Sequence, residues 1–149
     1  MAAGNYVNPT NKIVAAGTAQ EEVLTVTGAL TYMLPGRLVK KGADDNKCAI
    51  GDADGDMIGW LGYEQTFGQY KPANISTAYA LSDEATVLSG PGVHIMAYGS
   101  AAIVKGAIVA ADAAGAVVTW VNTMDADTMV GKALETTTDA GAIRIRSMI

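Results

Sequence analysis

Gly131-Lys132-Ala133-Leu134-Glu135-Thr136-Thr137-Thr138-Asp139-Ala140-Gly141-Ala142-Ile143-Arg144-Ile145-Arg146 is the stretch from which the fold class is read. Its end alternates, Ile143 and Ile145 against Arg144 and Arg146. A period of two is the repeat of a β-strand. It predicts both isoleucines on a core face and both arginines in solvent or on a partner. Residues 132–135 form the facing strand, and residues 137–141, polar and ending in glycine, form the turn. The pattern predicts a hairpin. Residues 103–110 and 116–121 flank Asp112-Ala113-Ala114-Gly115 in the same way and predict another.

Working outward, the same signals recur. Residues 86–88, the Ser89-Gly90-Pro91-Gly92 turn and residues 93–98 read as strand, tight turn, strand. Val23-Leu24-Thr25-Val26-Thr27 is β-branched and stops at Gly28. Residues 30–34 end at Pro35-Gly36, and Arg37-Leu38-Val39-Lys40 alternates into a polar turn at residues 41–46. Helix signals are thin: one turn over residues 18–22, and a start at Ser82-Asp83-Glu84-Ala85 that Ser89-Gly90 ends within two turns. The expected fold is all-β, or β-rich with one short helix: a small β-sandwich or barrel. Residues 13–149 are expected to form a single β-rich domain. Residues 1–12 are expected to be an extended N-terminal arm, which Asn8-Pro9 keeps out of helix.

Half of the 149 residues count as hydrophobic, but 43 residues are alanine or glycine. Leu, Ile, Val and Phe together number only 32, a proportion near the edge of disorder. Disorder also needs high net charge, and here charged residues are 17% with a net charge of −5. The chain is expected to fold and to gain stability from partners. Its acidic balance, −2 over residues 1–74 and −3 over residues 75–149, argues against nucleic acid, which needs a cationic footprint. The first residues carry neither a basic nor an apolar leader segment, so no signal peptide is expected. Residues 103–121 are interrupted by Lys105, Asp112 and glycines, short of the roughly 20 apolar residues of a membrane span. A soluble protein made in the cytoplasm is expected.

Chemistry-bearing residues are few. Asp52-Ala53-Asp54-Gly55-Asp56 has the alternate carboxylates of a calcium loop. Counting Asp52 as the first position, however, puts Met57 where glycine is required and Tyr63 where glutamate is required; an acidic surface turn is expected instead. His94 is the single histidine, in a strand-like run, with no nucleophile elbow to serve. Cys48, the single cysteine, makes no internal disulfide. Lys47 beside it could lower its pKa, but a small buried thiol is the expected reading. No nucleotide-binding or zinc spacing occurs. Neither an enzyme nor a cofactor or metal protein is expected. Trp60, Tyr63, Phe67 and Tyr70 are spaced 3, 4 and 3, as on one helix face, yet Gly59, Gly62 and Gly68 oppose a helix. These aromatics are expected in the core or, alternatively, at a partner interface.

Three segments taken in order, residues 34–42, residues 86–93 and residues 131–146, resemble small virion proteins of tailed phages, in particular capsid decoration (cement) proteins. In those proteins a hairpin with a polar turn leads into a G-x-A-L-E strand and a closing hairpin, matched here by Gly131-Lys132-Ala133-Leu134-Glu135. The resemblance covers residues 34–149. It implies a β-rich fold, a homotrimer at three-fold or quasi-three-fold positions, and stabilisation of the lattice of the major capsid protein on the virion surface. It carries over no catalytic or contact residues. The proposed interface residues come from the chain itself: Tyr6 and Val7 of the arm, with Trp60, Tyr63, Phe67 and Tyr70. The alternatives are another virion component (head fibre, tail or baseplate) or a glycan-binding β module.

Overall fold

Short β-branched runs punctuated by glycine turns cannot make long sheets, so the chain closes small ones. The computed structural model describes residues 13–28, 30–66, 69–71 and 75–149, with backbone alone for 64–66 and 69–71. The strands are β1 (Val14–Ala16), β2 (Gln20–Val26), β3 (Leu38–Lys41), β4 (Lys47–Ile50), β5 (Met57–Leu61), β6 (Glu64–Thr66) and β7 (Gln69–Lys71). They continue with β8 (Glu84–Ser89), β9 (His94–Gly99), β10 (Ile108–Ala111), β11 (Val117–Thr119), β12 (Met129–Ala133) and β13 (Gly141–Ser147). Among the described residues the only helical pieces are 3₁₀ turns at Leu30–Tyr32, Ala113–Gly115 and Ala126–Thr128. None is long and apolar enough to cross a membrane.

The expectation of an all-β barrel holds, and the barrel is double. β2, β4, β3, β5 and β8 close in that order. The second ring runs β9, β11, β10, β12, β13 and returns to β9. β1 adds to β9 on the edge away from β13, which it shares with β11, Val14 facing Ile95. Both C-terminal hairpins form as expected, β10 with β11 and β12 with β13. β8 and β9 are strands joined by a tight turn, but they do not pair. β8 lies between β2 and β5 of the first barrel, and β9 lies in the second. The Ser89-Gly90-Pro91-Gly92 turn is therefore a crossing between barrels. Neither helical signal forms: residues 20–22 belong to β2, and Glu84-Ala85 opens β8.

Alternation within the strands decides how the barrels meet. Val26, Val39, Leu61 and Val87 fill the first barrel, with Met33, Cys48 and Tyr79. Their chain neighbours Leu38, Trp60 and Leu88 point the other way and lie in register across β3, β5 and β8. That row belongs to the second core, with Ile95, Ile103, Val109, Ile143 and Ile145. The shared wall is thus buried on both faces, which is why adjacent apolar pairs, Leu38-Val39, Trp60-Leu61 and Val87-Leu88, stand in its strands. Small residues allow the close approach. At Gly36 a Cβ would lie 2.4 Å from the Met96 carbonyl oxygen. At Gly115 it would lie 2.6 Å from that of Leu38.

The alternation expected for β13 holds for three of its four residues. Ile143 and Ile145 are fully buried and Arg146 is exposed, but Arg144 is buried at 7% exposure. Arg144 faces Met96 on β9, and Glu135 folds over its backbone, Oε1 accepting its N–H at 2.7 Å.

Candidate functional site

The aromatic segment begins inside the fold. Trp60 is fully buried in the shared wall, and its Nε1–H donates to Ser147 Oγ of β13 at 3.1 Å. It therefore presents no surface to a partner, and its burial is of the core kind. Strand geometry replaces the helical spacing: Trp60 lies in the wall strand β5, which ends at Leu61, and the β6–β7 hairpin follows. Tyr63 is half-buried and packs against the second core. Tyr6, Val7 and Phe67 lie outside the described residues, and Tyr70 stands in β7 with its side chain outside them.

The excursion carrying this hairpin has a pinned neck. It leaves the wall at Gly62, whose N–H donates to the Thr86 carbonyl at 2.8 Å. It returns at Tyr79, 2% exposed, whose hydroxyl donates to the Gly62 carbonyl at 2.7 Å. The Tyr79 N–H donates to Met33 at 2.9 Å. A long loop fixed at both ends on a closed barrel is a common way to present contact residues from a rigid base.

The junction between barrels contains a residue whose role the sequence did not reveal. Arg37 is 8% exposed, its guanidinium carbon lies 3.8 Å from the centre of the Tyr98 ring, and Nη1–H donates to the Ala114 carbonyl at 3.1 Å. It reaches from the start of β3 to two elements of the second barrel. Burial lowers its pKa from the ordinary arginine value, partly offset by Tyr98 and Tyr32, and the guanidinium stays charged. The Pro35-Gly36 turn just before Arg37 was legible; its docking on β9 was not.

The acidic turn after β4 is tied down by its own neighbours. Lys40 pairs with Asp52, and the Asp54 N–H donates to Asp52 Oδ1 at 3.2 Å. The hydrogen bond from Lys40 holds the Asp52 carboxyl below the usual range. Among the described residues no three His, Cys, Asp or Glu side chains gather as metal ligands. Cys48 is fully buried inside the first barrel, and burial pushes its thiol up to about 11. Lys47 turns to Asp44 instead.

His94 lies half-buried on the outer side of β9, opposite Arg146 on β13. Arg146 in turn faces Lys132 on β12, and Lys132 faces Ile108 on β10. One outward row across four strands therefore reads histidine, arginine, lysine, isoleucine. Sequence alone placed Arg146 outward; only the register brought the other three beside it.

No family model matches the chain, and no curated protein does. Among solved structures the chain is similar to the head fiber gp8.5 N base in bacteriophage phi29, with a TM-score of 0.55. The match covers 87% of this chain and 94% of that one at 15% sequence identity. What the two share is the fold.

Proposed function

We propose that this chain is a structural protein of a phage head, seated on the capsid in the manner of a head-fibre base. The observation that carries this reading is the likeness in fold to a head-fibre base over nearly the whole of both chains. The turn and strand-end patterns point independently to tailed-phage virion proteins. Between the two virion readings, the fibre base has the better support, because the matched fold is a fibre base and spans both barrels. Decoration of the lattice as a cement protein is the narrower alternative. Within the proposal the partner is the major capsid protein and the chain acts as a homotrimer without catalysis or cofactor. Tyr6 and Val7 of the arm, with Tyr63, Phe67 and Tyr70, supply the contacts. Trp60 leaves this set because it is occupied inside the fold.

Binding to the assembled shell alone would stabilise that shell by mass action. The test is mass spectrometry of purified particles, followed by cryo-microscopy with and without the chain. The expected result is its presence in particles and paired-barrel density on the outside of the head. Absence from particles, or density on the tail, would overturn the reading.

A further inference from the structure

We infer that the outer wall of the second barrel, along the row His94, Arg146, Lys132 and Ile108, docks a protein surface bearing carboxylates. It rests on the proposed function for the identity of that surface, the outside of the head shell.

The argument starts from charge. The chain has only 10 lysines and arginines and a net charge of −5. On the first barrel Lys40, Lys41 and Lys47 each pair with an aspartate. Lys132 and Arg146 are both exposed and stand directly opposite each other in the β12–β13 ladder. Neither makes an ion pair among the described residues. Like charges directly across a pair of strands destabilise the sheet. An acidic protein had ample carboxylates to place beside them and did not. The arrangement costs the free protein stability and is relieved when a partner supplies the counter-charge.

The flanks favour a protein over a polyanion. Ile108, at the end of the row, is 37% exposed, and Met148, two residues beyond Arg146, is 49% exposed. Arginine and methionine are both enriched in protein interfaces. A phosphate backbone would call for a longer cationic track than two strands provide. The strand beneath is held on both sides at this point: Arg146 of β13 pairs with His94 of β9 and with Lys132 of β12.

The test uses heads purified from a phage deleted for this chain, titrated with the full-length protein. Wild type is expected to bind, and to bind more weakly as salt rises from about 50 to about 300 mM. The double variant Lys132→Glu with Arg146→Glu is expected to bind at least about tenfold more weakly. Lys132→Gln with Arg146→Gln, which keeps most of the volume, should lose part of that affinity. Lys105→Glu changes the net charge equally to one reversal, but on an exposed loop, and should bind as wild type. Melting curves of all variants establish that they fold. If wild type binds and the double reversal binds equally well, the docking face is overturned while the virion reading stands. If wild type binds no heads, both fail. If the double reversal instead dissolves an oligomer of the free chain, or abolishes binding to DNA, the occupant is a second copy or a nucleic acid and the inference is wrong.

Discussion

Arg37 and Cys48 show how much burial decides at single positions. Arg37 is held by a ring on one side and a carbonyl on the other, in a junction that excludes most water. Arg37→Met keeps the length and apolar stem but leaves the Ala114 carbonyl without this donor. A cost of about 2 kcal/mol is expected, read as a lower urea midpoint with an unchanged slope. Burial inside the closed barrel raises the Cys48 pKa and also keeps reagents from the thiol. A thiol reagent at pH 8 should leave the native protein unmodified and label it stoichiometrically in denaturant. Fast labelling of the native protein would mean that the first barrel opens.

At the scale of elements, the turns are not equivalent, although many carry glycine at positive φ. Gly36 (φ +85°) ends the turn that docks on β9, and a Cβ there meets the Met96 carbonyl oxygen. Gly106 (φ +90°) shares the backbone conformation but has nothing within 4 Å of a Cβ. Gly106→Ala should cost only the left-handed penalty, about 1–2 kcal/mol. Gly36→Ala should cost distinctly more, because backbone must also move. Thermal denaturation of the two variants side by side measures the difference, and equal losses would mean that the Gly36 turn is not packed against that carbonyl. The pinned neck at Gly62 and Tyr79 belongs to this scale too: it gives the β6–β7 hairpin a fixed origin on an otherwise closed wall.

For the whole molecule, the shared wall links the fates of the two barrels. Leu38, Trp60 and Leu88 are walls of one ring and core of the other. The chain also crosses between rings twice, before β2 and after β8, and the Gly90 and Gly92 N–H groups donate to Ile149 and Ser147 at 2.8 Å. Unfolding either ring exposes the other's core. A single transition is expected, with tryptophan fluorescence, which includes the shared-wall reporter Trp60, coincident with far-ultraviolet circular dichroism. A fluorescence change that precedes loss of β signal would mean that the barrels separate first.

Local chemistry was enough for many of the elements, though not for residues 20–22 and 84–85, which read as helix and form strand. Period-two alternation placed Ile143 and Ile145 inward, and glycine and proline turns marked both C-terminal hairpins and the break between β8 and β9, because these choices depend on neighbours along the chain. The scarcity of large apolar residues was also legible, but its consequence was not. Three wall strands serve two cores at once, Val39, Leu61 and Val87 filling one and Leu38, Trp60 and Leu88 the other, and small residues let the rings approach closely enough for that. Which strands pair, that the rings number two, that Trp60 faces inward, that Arg144 is covered and that Lys132 stands beside Arg146 all depend on register between distant segments. A one-residue slip in any ladder would reverse those faces. The closure of the rings selects the register, and closure is a property of the assembled strands rather than of any one of them.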